Sequence, residues 1–172
     1  RMDLLEGMRS FTSGGSTVDT SHYDSLTWSK PPARFEGGLG NYAGILGTSA
    51  AIDYISNIDL DAVHEHEVSL NRIMTSILKD VNGLRIIGPE DPAQRGGICS
   101  ILLDNIDAHD IAILLDEAAG VMVRSGMHCV HSWFNAKGID RGSLRASAYL
   151  YNTEDEVKLF AETLVEAVDA LG

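Results

Sequence analysis

The sequence predicts an α+β fold, a small and mainly antiparallel sheet with helices packed on one face, preceded by a loop-rich stretch. Three observations predict it. From residue 84 onward the segments read strand, strand, helix, strand, loop, strand, helix, with connections too short for right-handed crossovers between all the strands. Ile98 to Leu103 is a continuous apolar run between Gly96-Gly97 and Asp104. The C-terminal helix carries both a start signal and a sustained apolar stripe.

Taken in order, residues 1–40 are interrupted by Ser13-Gly14-Gly15-Ser16, Pro31-Pro32 and Gly37-Gly38-Leu39-Gly40, so loops and short strands are expected there. Asn41 opens a helix rich in small and apolar residues (Ala43, Ile45, Leu46, Ala50, Ala51, Tyr54, Ile55) that should end near Asn57 and pack closely against its neighbours. Asp59 starts a second helix with Val63, Leu70, Ile73, Met74, Ile77, Leu78 and Val81 on one stripe and Gly83 as its stop. Leu84 to Ile87 reads as a strand closed by Gly88-Pro89, and Ile98 to Leu103 as a strand buried on both faces. Asp107 caps a helix over Ile111, Leu114, Leu115 and Ala118 that Gly120 ends. Val121 to Val123 reads as a short strand delivering Arg124 to a loop, and Ser143 to Leu150 as another strand. Thr153 with Glu156 forms a capping box, followed by Val157, Phe160, Ala161, Leu164, Val168 and Leu171.

Composition sets limits on function. The chain of 172 residues holds 13 Lys+Arg against 25 Asp+Glu, a net charge of −12, and is 44% apolar and 22% charged. That is globular composition. The charge and the scattered basic residues disfavour nucleic acid. No stretch reaches the length of a membrane span, and Arg1 to Gly7 do not lead into a secretory segment, so a cytoplasmic location is expected. Two cysteines do not suggest a disulfide framework.

The densest chemistry lies in Arg124-Ser125-Gly126-Met127-His128-Cys129-Val130-His131. Positive charge around a loop cysteine favours its thiolate and makes Cys129 a candidate nucleophile, although a satisfied loop cysteine fits the same residues. No second ligand cluster completes a tetrahedral metal shell around His128, Cys129 and His131, so no metal is expected. His64-Glu65-His66-Glu67 lacks the i, i+4 spacing of a zinc-protease helix and is read as a solvated face. His22 and His109 carry no specific signal. Gly37-Gly38-Leu39-Gly40 precedes a helix and offers backbone N–H groups to an anion, yet lacks the Lys and Ser/Thr of a P-loop; tight turns explain such glycines equally well. Arg145, in Leu144-Arg145-Ala146-Ser147, has apolar flanks and no adjacent carboxylate. Its partner is therefore remote in sequence or a ligand.

As a set, Arg124 to Cys129, Leu144 to Ser147 and Tyr151-Asn152-Thr153-Glu154-Asp155-Glu156-Val157 resemble the C-terminal signature of the SufS-type cysteine desulfurases, class V aminotransferases of pyridoxal-phosphate fold type I. Gly14-Gly15-Ser16 and Arg34-Phe35-Glu36-Gly37-Gly38 with Asn41 agree, in family order along essentially the whole chain. The resemblance implies conversion of L-cysteine to L-alanine with pyridoxal phosphate as electron sink, leaving a persulfide for an iron–sulfur scaffold or other sulfur acceptor protein. By position, Cys129 matches the persulfide-carrying cysteine, Arg145 the arginine gripping the substrate carboxylate, and Arg124 a substrate-side arginine. Gly38 and Leu39 match the stretch that brings backbone to the partner subunit's cofactor phosphate, which implies a homodimer. Leu39 stands where the family usually has a threonine, so a backbone contact alone is expected there. Lys30, Lys79, Lys137 and Lys158 follow Ser, Leu, Ala and Val rather than the histidine that precedes the family's Schiff-base lysine. The resemblance is thus to the C-terminal part of the enzyme: residues 1–40 as the edge of the large domain, 41–57 as the connecting helix and 58–172 as the small domain. Selenocysteine lyases and epimerase-like proteins share this loop, with a cysteine that need not be catalytic. A non-enzymatic binding or dimerisation module is the reading from a different class.

Overall fold

The computed structural model describes residues 1–171 and divides into two compact units, the first Arg1–Asn57 and the second from Ile58 onward. The first unit holds α1 (Met2–Gly7), the antiparallel pair β1 (Val18–Ser21) and β2 (Leu26–Trp28), and α2 (Tyr42–Ser56). Helix α1 falls where only loops and strands were expected. Its C-terminal carbonyls are taken by a remote side chain: the Arg34 guanidinium donates to the carbonyls of Leu5, Glu6 (2.8 Å) and Met8 (2.9 Å) and sits 4.9 Å from the Phe35 ring centroid. Thr17 is buried and closes the glycine turn, its Oγ1 donating to the Gly14 carbonyl (2.8 Å) and accepting from the Gly14 N–H (2.9 Å).

Helix α2 has the expected bounds. The Asn41 side chain accepts from the Gly44 N–H at 3.0 Å, and Asn57 closes the other end through a 2.7 Å bond from Nδ2 to the Asp53 carbonyl. The expected close packing is not there, because no residue of α2 is buried. Its apolar residues run round the whole helix instead of forming one stripe, so no single face can seat them.

The second unit runs α3 (Leu60–Leu78), β3 (Leu84–Ile87), β4 (Ile98–Leu103), α4 (Ala108–Ala119), β5 (Arg124–Gly126), α5 (His131–Ala136), β6 (Ser143–Ser147) and α6 (Glu154–Leu171). The strands form one antiparallel sheet in the order β3-β4-β6-β5. Asp59 and Asp107 cap α3 and α4, and Gly120 (φ 64°) ends α4 in the left-handed conformation. In α6 the capping box closes both ways, Glu156 N–H to Thr153 Oγ1 at 3.2 Å and Thr153 N–H to Glu156 Oε2 at 2.8 Å. That pairing holds the Glu156 carboxyl below its ordinary pKa.

Strand alternation separates the two faces of the sheet. Ile86, Ile101 and Leu144 form one cross-strand row on the helix side, with Cys99 opposite Ala146 beside them. They join Leu70, Met74 and Leu78 of α3, Ile111 and Leu115 of α4, and Phe160, Ala161, Leu164 and Val168 of α6 in one core. Each large side chain so buried stabilises the fold by about 1.5–3 kcal/mol. Burial pushes the Cys99 thiol up to about 11.

Four expectations about this unit need correction. Helix α3 ends at Leu78, and Gly83 (φ 74°) serves the turn into β3. Strand β4 is not buried throughout on both faces: Ile98 is 51% exposed while Leu102 is 7% exposed. The outward residues Arg85 and Ile87 share a cleft with Trp133, Lys137 and Ile139, which places the unanticipated α5 segment near that end of the sheet. Val121 to Val123 is not a strand, because the Val121 N–H bonds back to the Leu115 carbonyl as part of the α4 C-cap, so pairing begins at Arg124. Strand β6 stops at Ser147 rather than Leu150; the Tyr149 N–H turns to the Asn152 side chain at 2.9 Å.

Candidate functional site

Register brings the two arginines together. In the antiparallel pair β5–β6, Arg124 stands directly opposite Arg145, and Arg145 opposite Ser100 of β4, all on the face away from the core. Like charges placed opposite one another destabilise a sheet. No carboxylate pairs with either guanidinium among the described residues, and Arg145 Nε is buried without a partner. This row therefore has unmet capacity for an anion, and a carboxylate suits the planar guanidinium fork.

The segment between these strands is held by turns. Gly126 (φ 108°) and Gly142 (φ 73°) lie where the strand ends meet; a Cβ on Gly142 would fall 2.4 Å from the Gly126 carbonyl group. His128 (φ 49°) and Cys129 (φ 63°) occupy the left-handed region in succession, at about 1–2 kcal/mol each. Anchoring contacts offset this. His128 Nε2 lies 3.0 Å from both the Ser143 carbonyl oxygen and Ser143 Oγ, and its ring centroid is 6.4 Å from that of buried Phe134. The carbonyl can only accept, so Nε2 carries the hydrogen and the buried, unpartnered Nδ1 presents a lone pair. Burial lowers the His128 pKa, with the nearby Arg145 and Arg124 charges adding to it against the opposing bond to Ser143. The neutral ring acts as a hinge pin, and the Cys129 side chain on the next residue is exposed.

Cys129, Arg124 and Arg145 thus belong to one unit and to one pair of strands with its connection. Gly38 and Leu39 belong to the first unit. Gly38 (φ 87°) donates its N–H to the Gly15 carbonyl at 2.9 Å, whereas Leu39, 93% exposed, has its N–H outside that bond. Sequence reading did not single out Ser143 or Phe134, the anchors of His128. Nor did it separate His66 from the solvated face of α3: His66 is half-buried, with Nε2 2.8 Å from the Asn152 carbonyl. His131 is exposed at the start of α5, and His109 Nδ1 lies 3.3 Å from Ser125 Oγ on the helix side of β5.

Residues 1–160 match the family described as aminotransferase class-V. The chain belongs to that family. Within the class-V aminotransferases it is 34% identical, over 172 residues and its whole length, to a probable cysteine desulfurase of Xylella fastidiosa, of which it covers 40%. A probable cysteine desulfurase of Methanothermobacter thermautotrophicus is 37% identical over 158 residues, 89% of this chain and 38% of that protein. Among solved structures, the apo cysteine desulfurase of Thermococcus onnurineus superposes with a TM-score of 0.88 at 30% identity, covering 99% of this chain and 42% of that one. The chain therefore spans about two fifths of the length of the class-V relatives it matches.

Proposed function

We propose that this chain is the C-terminal part of a pyridoxal-phosphate-dependent cysteine desulfurase. The observation that carries the reading is the Arg124–Arg145 row, without a carboxylate of its own, on the strands whose connection exposes Cys129. In this reading Arg145, assisted by Arg124, holds the α-carboxylate of L-cysteine. The Cys129 thiolate attacks the substrate sulfur; an S–S bond forms as the substrate C–S bond breaks, the electron pair stays with carbon, and protonation there gives L-alanine. His128 and Ser143 hold the loop so that Cys129 can reach. Residues 1–40 belong to the edge of a large domain, 41–57 to a connecting helix and 58–172 to a small domain.

The fit to the cofactor is partial. When bound, pyridoxal phosphate supplies the electron sink for C–S cleavage. Of the Gly38–Leu39 pair, the Leu39 N–H is the donor left for its phosphate, since Gly38 serves Gly15. Lys30, Lys79 and Lys137 are exposed, and Lys158 lies near Glu154 and Asp155, so none is placed as an imine-forming lysine. Cofactor anchoring is assigned to the rest of the protein, and the partner subunit of a homodimer is the proposed recipient of the Leu39 contact. A cytoplasmic location and delivery of persulfide sulfur to iron–sulfur assembly complete the proposal.

The test is alanine and persulfide formation from L-cysteine by the complete protein. Cys129→Ala should abolish both while the cofactor absorbance remains, and Arg145→Lys should raise KM for cysteine. Alanine release persisting in Cys129→Ala would sink the nucleophile assignment, and amino-group transfer to a keto acid without release of sulfur would instead support an aminotransferase or epimerase-like relative.

A further inference from the structure

At the opposite edge of the sheet from β5, a third arginine lacks a counterion. Arg95 is 7% exposed, and no carboxylate pairs with it among the described residues. Its Nη2 donates to Thr75 Oγ1, while Nε is buried with no partner. The side chain is held in place from both ends. The Asn71 side-chain amide donates to the Arg95 carbonyl (3.0 Å) and the Gly96 carbonyl (2.8 Å), and the arginine stem lies against Gly88, where a Cβ would meet Cδ at 3.5 Å. Gly88 has φ 120°, so its backbone also requires glycine. A buried charge without compensation is costly, and a rigidly held one is unlike the snorkelling arginines of ordinary surfaces.

Arg95 lines a cleft of about 520 Å³ together with Thr75, Lys79, Arg85 and Glu90. Three basic residues and one acidic residue contribute to its lining, in a chain whose net charge is −12. The Lys79–Asp80 contact, 3.9 Å between exposed groups, leaves the ammonium largely available. We propose that this cleft binds a compact oxyanion of the phosphate or sulfate class, seated on the Arg95 guanidinium with Arg85 and Lys79 at its mouth. The site is independent of the cysteine desulfurase reading, since it lies along β3 and shares no residue with the Arg124–Arg145 row. Free phosphate and the phosphoryl group of a small metabolite present the same chemistry to it.

The experiment is calorimetric titration and thermal melting of the complete protein with inorganic phosphate, sulfate and phosphoserine, against chloride at matched ionic strength. Phosphate or sulfate should bind and raise the melting temperature. Exposed Arg85→Gln should weaken binding about tenfold, the loss of one charge-assisted contact. Arg95→Lys, which keeps the charge and removes the fork, should weaken it further. Arg124→Gln should leave it within about twofold, since the two sites share no residue. Tighter binding of phosphoserine than phosphate would assign the site to a phosphorylated metabolite, and the reverse to the free ion. Identical melting in all salts would overturn the proposal in favour of a buried water joining Arg95 Nε to Asn71 Oδ1. Binding lost in Arg124→Gln but kept in Arg85→Gln would overturn it in favour of the other arginine row.

Discussion

Helices α2 and α6 have similar lengths, 15 and 18 residues, and opposite environments. Helix α6 buries Val157, Phe160, Ala161, Thr163, Leu164, Ala167 and Val168 on one stripe, with acidic residues in its first turn. Helix α2 buries nothing, although its composition is the more apolar of the two. Apolar content alone does not seat a helix; its distribution does. Under the proposed function, α2 is the connecting helix of a longer protein, and apolar residues all round it suit neighbours on several sides.

Core truncation tests the comparison most strongly. Leu164→Ala in α6 should cost about 3–5 kcal/mol in denaturant unfolding of the chain, whereas Leu46→Ala in α2 should change stability by no more than about 0.5 kcal/mol. A large loss from Leu46→Ala would break the contrast. The helix caps sharpen it. Thr153→Ala, which opens the α6 capping box, should cost about 1 kcal/mol of the same unfolding transition. Asn41→Ala should lower helical circular dichroism while leaving the midpoint of that transition in place. The smallest effect is that of pH. The folded-state pKa of His128 lies below the ordinary imidazole value of about 6.5. The unfolded chain therefore binds more protons in that interval. The contribution of His128 is fully present above the ordinary value and is lost as pH falls from there through the folded pKa. His128→Gln should flatten the stability profile across this window, with its largest loss of stability above the window, at pH 8, where the contribution of the neutral ring is fully present.

Much of the second unit was legible because its signals are local. The bounds of β3 follow from an apolar run closed by Gly88, those of β4 from a run between Gly97 and Asp104, the ends of α4 from Asp107 and Gly120, and the start of α6 from the Thr153–Glu156 pair. What escaped depends on partners distant in sequence. Helix α1 ends on the Arg34 guanidinium 29 residues from Leu5. Helix α5 has no side-chain cap and is marked mainly by burial of Phe134. Val121 to Val123 has strand-like residues, yet the α4 cap claims the Val121 N–H. In the candidate site, Cys129 and Arg145 were visible as residue types out of place. The opposition of Arg124 to Arg145 was not, since cross-strand register is tertiary information, and the same holds for the Ser143 anchor of His128.

The two cysteines differ in a way that provides a chemical handle. Cys129 is exposed, while Cys99 is wholly enclosed with its thiol pushed up to about 11. A maleimide dye at neutral pH will therefore couple first to Cys129, giving a single, defined attachment point without mutagenesis. The second coupling can proceed only when β4 parts from the helices above it, so its rate is a stopwatch for the opening of that core.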